Sequence, residues 1–305
     1  MQRSPDQERF VLHPGERLDD LQRDGAKLIQ NPELFCFGMD AVLLTAFAEG
    51  NLKPESRVLD LCSGNGVISI LMNARYHDRV DREPMTDGKP TPGKPVPGTY
   101  AGDGESVPGT YAGDGEGVPG TGIDPARQPY PDFTGLEINS ICVDMAKRST
   151  SGNGESDHVH FLQGNLKKIR DLVPAAGFDL VTVNPPYMIG GHGLTGANEA
   201  LTIARHEVAC TIDDVCAAAE YAAKPQGRVC MVHRPFRLAD IFRSMNRHHL
   251  EPKRMRMVQP MADKEPNMVL IEAVRGGRPR LAVERPLVIY ERQGVYTEEV
   301  RKLYG

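Results

Sequence analysis

An asparagine, two prolines and a tyrosine follow one apolar segment of this chain, and these residue types together can hold an amine. The segment 178–183 reads FDLVTV and leads into Asn184, Pro185, Pro186 and Tyr187. A prolyl nitrogen cannot donate to a sheet ladder, so the prolines end a strand and keep Asn184 extended. The result is a rigid platform with a side-chain amide, unclaimed carbonyl groups and an aromatic ring. Such a platform can accept both hydrogens of an amino group.

A glycine loop with ligand-binding residue types follows the segment RVLDL at 57–61. From Asp60 to Gly66 the sequence reads D-x-x-x-G-x-G, and glycines let a backbone loop pass close to a ligand. A dinucleotide fingerprint would need glycines at 62, 64 and 67, but positions 62 and 67 are cysteine and valine. This pattern argues against NAD, and the lack of GKS or GKT argues against a phosphate-binding P-loop.

An acid and an amide follow the next two predicted strands. Glu137 lies 71 residues after Gly66, or 16 once the 55 residues of the insertion 78–132 are subtracted. An acid there can bind two ribose hydroxyls, or it can lie on the surface near the start of a helix. Asn165 can meet an adenine edge or serve as a turn residue. An acidic nucleoside pocket without phosphate ligands suits S-adenosylmethionine, because its sulfonium and ammonium groups are cationic.

Alternating strand and helix patterns must position these residues. Apolar runs predict strands at 57–61, 133–138, 158–163, 178–183, 227–233, 252–258 and 267–274. Helical spacing predicts helices at about 65–75, 139–150, 211–224 (with Thr211 as the N-cap) and 236–247. Continuous apolar strands between helices predict an α/β fold with a mainly parallel sheet covered on both faces.

A repeat interrupts this alternation. The sequence VPGTYAGDGE occurs at 96–105 and again at 107–116, between flanks rich in glycine and proline. Such a segment cannot bury enough apolar surface to offset its chain entropy. We therefore expect a single domain over 1–305, interrupted by a disordered surface insertion at about 78–132.

Composition is that of a soluble globular protein, with 40% hydrophobic and 25% charged residues and a formal net charge of −5. The chain has no apolar run long enough to span a membrane, and its first residues lack the apolar core of a signal peptide. Six cysteines without a CxxC pair indicate reduced thiols, and the histidines lack ligand spacing. We expect a cytoplasmic protein without a metal site.

Charge is distributed unevenly along the chain. Between Lys224 and Arg280 there are 13 lysines and arginines against 5 acids, whereas between Asp78 and Asp132 there are 10 acids against 5 basic residues. The basic third can be a solvated face or a surface that meets phosphates.

The glycine loop, the acid after the second strand and NPPY after the fourth resemble class I S-adenosylmethionine-dependent methyltransferases that act on amino nitrogens. The segments 15–48, 203–208, 227–241 and 263–277 also resemble the bacterial tRNA1(Val) adenine-N6-methyltransferase family, in its Gram-positive-type branch. The resemblance covers nearly the whole chain outside 78–132 and the first dozen residues. It implies a Rossmann-like class I fold, with a seven-stranded sheet that contains one antiparallel strand.

The resemblance also implies an activity, N6-methylation of an adenine in tRNA, which in this family lies in the anticodon loop of tRNA1(Val). It implies a role in cofactor binding for Phe37, Gly38, Asp40, Asp60, Ser63, Gly64, Asn65, Gly66, Glu137 and Asn165. It implies that the target amine is bound by Asn184, Pro185, Pro186 and Tyr187. Two positions depart from the family: Cys62 stands where glycine is frequent, and Asn165 replaces an aspartate.

Basic residues provide candidate contacts to the tRNA backbone. The candidate surface comprises Arg234, Arg237, Arg243, Arg247, Lys253, Arg254 and Arg256. Arg205 and His206 follow the NPPY segment and either approach the substrate or form a structural ion pair.

Other readings of the same motifs stay open. NPPY also serves enzymes that methylate rRNA, DNA adenine or protein glutamine. The glutamine enzymes usually carry a separate helical domain and the DNA enzymes a recognition domain, and this sequence shows neither. A cofactor-binding RNA protein without turnover is a further alternative, although the intact NPPY speaks against it. The sequence does not indicate an oligomeric state.

Overall fold

The computed structural model describes residues 9–34, 36–82, 130–186 and 210–304. The strands that build the main sheet are β3 (Arg57–Leu61), β4 (Asp132–Glu137), β5 (Val159–Gln163), β6 (Phe178–Val183), β7 (Ala223–His233), β8 (Leu250–Gln259) and β9 (Met268–Arg275). Shorter strands are β1 (Arg17–Asp20), β2 (Lys27–Gln30), β10 (Ala282–Val283), β11 (Leu287–Val288), β12 (Tyr290–Arg292) and β13 (Val295–Tyr296). The helices are α1 (Met39–Ala48), α2 (Val67–Arg82), α3 (Ser140–Asn153), α4 (Ile212–Ala222), α5 (Leu238–Arg247) and α6 (Glu298–Tyr304).

The main sheet is mostly parallel. Its strands lie in the order β10-β8-β9-β7-β6-β3-β4-β5, and β11 also pairs with β8. Strand β9 runs antiparallel to both of its neighbours, β7 and β8. Seven long strands with one antiparallel member agree with the predicted sheet, and β10 and β11 only extend its edge. The fold is therefore Rossmann-like, as predicted.

Two apolar clusters cover opposite faces of this sheet, because successive strand residues point to opposite sides. Val58, Leu180 and Cys230 belong to the cluster that α1, α2 and α3 cover. Their neighbours in sequence, such as Leu59 and Val181, belong to the cluster that α4 and α5 cover. Strands buried on both faces explain why the sheet reads as continuous apolar runs in the sequence.

Helix ends follow local signals. Thr211 forms a capping box at the start of α4, in which its hydroxyl accepts from the Asp214 N–H and the Asp214 carboxylate accepts from the Thr211 N–H. Asn139 caps α3 by accepting a hydrogen bond from the Ile141 N–H.

Boundaries differ from prediction at the insertion. Helix α2 ends at Arg82 rather than near Arg75, so residues 78–82 are helical, and β4 includes Asp132. Tyr130, also within the predicted insertion, packs its ring edge-on against that of Tyr76, with 5.6 Å between centroids. Residues 83–129 lie outside the described residues. The hairpin of β1 and β2 was not predicted, because four-residue strands carry little periodicity. None of the helices in the described ranges has the length and apolar character needed to cross a membrane.

Candidate active site

Several predicted site residues in the described ranges lie at or just beyond the carboxyl ends of the parallel strands β3, β4, β6 and β7, which we call the carboxyl edge. Asp60 on β3 is in register with Gly135 on β4 and with Thr182 on β6. The chain places β4 and β5 on one side of β3 and β6 and β7 on the other. A crevice opens at the carboxyl ends of strands where the order reverses in this way, and ligands bind there.

Asp60 is a buried acid that joins two strands and a helix. Its side chain is 1% exposed, and it accepts hydrogen bonds from the hydroxyls of Thr182 at 2.8 Å and Ser69 at 3.5 Å. Burial raises the pKa of Asp60 to about 7, and the nearby Glu137 carboxylate acts in the same direction against the effect of the two hydroxyls. Asp60 therefore supports the glycine loop from inside the protein.

The glycine loop turns sharply between β3 and α2. Cys62, Gly64 and Gly66 all have positive φ, at 59°, 55° and 86°. At Gly66 an added Cβ would lie 2.5 Å from the Phe161 ring, so both backbone and space require glycine there. At Gly64 an added Cβ would meet nothing within 4 Å, so this position is open on its outer side.

Glu137 ties this loop to the end of β4. One carboxylate oxygen accepts from the Gly64 N–H at 2.9 Å and the other accepts from the Asn139 N–H at 2.9 Å. A carboxylate offers about four acceptor positions, so acceptor capacity remains for a diol. The structure thus places the predicted ribose-binding acid directly beside the glycine loop.

Ser63 carries a buried hydroxyl that has no hydrogen-bond partner within the described part of the chain. The side chain is 3% exposed. Gly135 on β4 makes room for it, because an added Cβ at Gly135 would lie 2.8 Å from the Ser63 hydroxyl oxygen. A buried polar atom without a partner is unfavourable in a folded protein unless a ligand or water forms a hydrogen bond with it.

The end of the β1–β2 hairpin contacts the glycine loop and also the segment that follows the hairpin. The Asn65 amide donates to the Ile29 carbonyl at 3.3 Å and to the Gln30 side-chain oxygen at 3.5 Å. The same Gln30 oxygen accepts from the Phe37 N–H at 3.0 Å. Gln30, which sequence analysis did not select, therefore bridges Asn65 and Phe37.

The other two predicted residues of this segment shape the start of α1. Gly38 is the N-cap residue, and the Asp40 carboxylate accepts from the Ala41 N–H at 2.9 Å. Because Phe37 is held beside the loop, Gly38 and Asp40 follow close to it. Phe37 is linked to Asn65 through Gln30, while the contact of Phe37, Gly38 and Asp40 with a cofactor stays a prediction.

Asn165 caps a short 3-10 turn over Leu166–Asp171. Its side-chain oxygen accepts from the Lys167 N–H at 3.0 Å. This contact corresponds to the turn role that sequence analysis had left open. The amide NH₂ group can still donate to an adenine ring nitrogen, whereas an aspartate would only accept.

The predicted amine platform begins where β6 ends. Asn184 is half-buried, Pro185 is buried and Pro186 is exposed. Val183, directly before Asn184, is in register with Leu61 on β3 and Met231 on β7. Tyr187 and Arg205 lie outside the described residues.

Arg234 and Arg237 lie just beyond the end of β7, beside the end of β6. The Arg234 guanidinium donates to the Asn267 carbonyl at 3.0 Å, and the Arg237 Nε–H donates to Asp240 at 3.0 Å. His233, which precedes them, is buried and accepts from the Arg234 N–H through Nδ1. Burial lowers the pKa of His233 to about 4, so its ring is neutral at pH 7.

The wider basic surface is less available than its composition indicates. Arg247 pairs with Asp213, Arg254 with Glu272 and Arg256 with Glu299, each at 2.7–2.8 Å. Arg254 also donates to the Phe47 carbonyl at 2.7 Å, inside the fold. Arg254 is therefore a structural residue, while the other six basic residues of the predicted surface stay candidates for phosphate contact.

One group of side chains within the described ranges has metal-ligand types and spacing. His13, Glu16 and Asp144 bring three ligand atoms within 4.8 Å of one another. The Arg148 guanidinium contacts Glu16 and Asp144, each at 2.7 Å. Because a guanidinium already neutralises these carboxylates, the cluster is an ion-pair network.

Sheet order, glycine loop and the acid at the end of the next strand together define a class I methyltransferase fold. A solved structure agrees: the predicted O-methyltransferase Atu636 from Agrobacterium tumefaciens matches with a TM-score of 0.55. It shares 16% sequence identity, and the match covers 87% of this chain and 95% of that chain. At this identity the likeness concerns the fold alone.

Two sequence relatives resemble this chain. Two curated proteins named tRNA1(Val) (adenine(37)-N6)-methyltransferase, from two strains of Porphyromonas gingivalis, are each 26% identical over 185 residues. Each match covers 58% of this chain and 70% of the relative. No protein-family model matches the chain. The resemblance predicted from the sequence is confirmed by these relatives, and the chain is a methyltransferase.

Proposed function

We propose that this methyltransferase transfers the methyl group of S-adenosylmethionine to the exocyclic nitrogen of an adenine in tRNA. The substrate class comes from the two relatives, whose names specify adenine 37 of tRNA1(Val). The observation that carries the proposal is the adjacency of two segments. Leu61, which enters the glycine loop, is in register with Val183, which enters Asn184 and the two prolines. Neighbouring strands lie about 4.8 Å apart, so both segments face one crevice.

The residues at the carboxyl edge fit S-adenosylmethionine. Glu137 has acceptor capacity for the ribose diol, and the buried Ser63 hydroxyl lacks a partner that a polar ligand group would supply. The open side of Gly64 lets a ligand approach the backbone. When bound, the cofactor supplies an electrophilic methyl group on a cationic sulfur. Asp60 and Glu137 together favour that positive charge.

The reaction also needs an adenine amine that is nucleophilic. The residues that follow β6 would activate it. The lone pair of the amine is delocalised into the ring, and the nitrogen carries two hydrogens. The Asn184 side-chain oxygen and the Pro185 carbonyl would each accept one hydrogen, which directs the lone pair out of the ring plane. Fixed dipoles would then stabilise the positive charge that develops on nitrogen. Tyr187 would stack on the base, which must leave its own stack to reach the site.

Methylation of tRNA in vitro tests this function directly. The purified protein is incubated with S-adenosylmethionine and with tRNA from a strain that lacks N6-methyladenine, and the digested nucleosides are analysed by mass spectrometry. We expect N6-methyladenosine in one tRNA, within its anticodon loop, and roughly 10²–10³-fold slower formation of it with the Asn184→Ala variant. Methylation of DNA adenine or of a protein glutamine, with unmodified tRNA in parallel, would reject the proposed substrate.

A further inference from the structure

Phe236 is an exposed aromatic side chain close to the candidate active site. Its side chain is 65% exposed, in the 3-10 turn Pro235–Arg237 directly after β7. The other large apolar side chains that are exposed in the described part of the chain are aliphatic: Val11, Leu12, Ile141, Leu281 and Val283. A ring this exposed gains little from burial, so packing against the described part of the chain does not account for it.

The strand register brings Phe236 near the amine platform. Val183 on β6 lies beside Met231 on β7, and continuing this register by two residues places Pro185 opposite His233. Phe236 follows His233 by three residues, a distance of at most about 11 Å along the chain. Adding the strand spacing, its Cα lies within roughly 16 Å of the Pro185 Cα. A nucleotide next to a target base held at Asn184 is within reach of this ring.

Charge around Phe236 favours a polyanion. Between residues 234 and 243 there are three arginines, Arg234, Arg237 and Arg243, and one acid, Asp240. The ion pair with Asp240 engages the Nε–H of Arg237, and a guanidinium has five N–H donors. The ring is therefore flanked on both sides in sequence by arginines that can contact phosphates.

We propose that Phe236 stacks on an unpaired base beside the adenine that is methylated, while Arg234 and Arg237 contact the adjoining phosphates. This inference rests on the proposed function, because it takes an RNA loop as the ligand. Single-stranded bases are recognised by stacking on aromatic side chains, and a loop with one base held out presents its neighbours unpaired. Phe236 would thus position the RNA without touching the reacting atoms.

The test uses the full chain and an RNA stem-loop with 2-aminopurine next to the target adenine. Stacking on Phe236 is expected to change the probe fluorescence on binding. Phe236→Ala should lower RNA affinity roughly 5- to 100-fold and abolish most of that change. Phe236→Tyr should retain both, whereas Phe236→Leu, which keeps apolar bulk without a ring, should behave like the alanine variant. Affinity for S-adenosylmethionine should be the same in all four proteins.

Val283→Ala is the matched control. Val283 is 67% exposed on β10, at the end of the strand order that is remote from β3. Its removal should leave RNA affinity unchanged.

Three results would overturn the inference. The first is an RNA affinity of Phe236→Ala equal to that of the wild type, when the wild type methylates RNA. This result would leave the proposed function intact. The second is full affinity in Phe236→Leu, which would indicate an apolar contact without stacking. The third is a dimer in solution that Phe236→Ala dissociates, which would assign the ring to a second copy of the chain. Failure of the wild type to methylate any tRNA would instead reject the proposed function.

Discussion

Replacing Asp60 by asparagine should stabilise the ligand-free protein at neutral and alkaline pH. Burial raises the pKa of Asp60 from an ordinary 3.8 to about 7. Between these values the folded protein holds a proton that the unfolded chain has released, so the free energy of unfolding falls as pH rises from about 4 to 7. The difference corresponds to roughly 4 kcal/mol at pH 7 and above. Asparagine removes this cost because it is never charged.

The substitution also preserves the local hydrogen bonds. The side-chain oxygen of the introduced asparagine can accept from Thr182 as the carboxylate does, and its NH₂ group can donate to the Ser69 hydroxyl oxygen. Urea denaturation of both proteins from pH 4 to 8.5 measures the effect. The gain in unfolding free energy should be small at pH 4 and should reach a plateau above pH 7. Taking the difference in unfolding free energy between the two proteins cancels the contributions of the titratable groups that they share.

Asp171→Asn, which makes the same replacement at an exposed position, is the matched control. A variant of Asp60 that is less stable than the wild type at pH 8 would refute the reasoning, since it would mean that a partner holds the carboxylate charged. A ligand with a cationic sulfur should instead favour the charged form of the Asp60 carboxyl group. S-adenosylmethionine should release a proton on binding the wild type near pH 6, and calorimetry in two buffers of different ionisation enthalpy should detect no such release with Asp60→Asn.

Three further experiments test other parts of the site. In Glu137→Gln an amide nitrogen must face the N–H of Gly64 or Asn139, so calorimetry should show a Kd for S-adenosylmethionine raised roughly 10- to 100-fold; an unchanged Kd would contradict this. Gly66→Ala forces a Cβ onto Phe161 and should cost about 2 kcal/mol or more in urea denaturation, against about 1 kcal/mol for Gly64→Ala, where space is open. Equal costs would show that φ alone matters. Asn184→Ala should keep cofactor affinity and lose roughly 10²–10³-fold in single-turnover rate, and near-normal turnover would remove the assigned role.

The central strands of the sheet were predictable because they are buried on both faces. The run FDLVTV coincides with β6 at both ends, since two prolines stop the strand and its residues alternate between two apolar clusters. Glu137 was also predictable, because a mainly parallel sheet brings the end of the second strand beside the loop after the first. These predictions needed only the pattern of apolar residues and the order of the strands along the chain.

Pairing partners were not predictable in this way. Arg254 was assigned to a basic surface, but it lies directly across from Glu272 in the antiparallel pair of β8 and β9. Composition cannot reveal this pair, because register is set by the whole sheet. Gln30 was missed for the same reason. Its role depends on Asn65 and Phe37, which are brought to it by the fold and not by spacing in the sequence.

The glycine loop is held by three separate hydrogen-bonded contacts, and under the proposed function this arrangement would link cofactor binding to the amine platform. Glu137 ties the loop to β4, the Asn65 amide ties it to the hairpin, and Asp60, just before it, is bonded to Thr182 on β6. Thr182 is two residues before Asn184. A ligand seated on the loop is therefore fixed relative to Asn184 through a buried hydrogen bond and a paired strand. Because in-line transfer depends on sub-ångström placement, loosening the Asp60–Thr182 bond with Thr182→Val should lower the transfer rate more than the affinity for the cofactor.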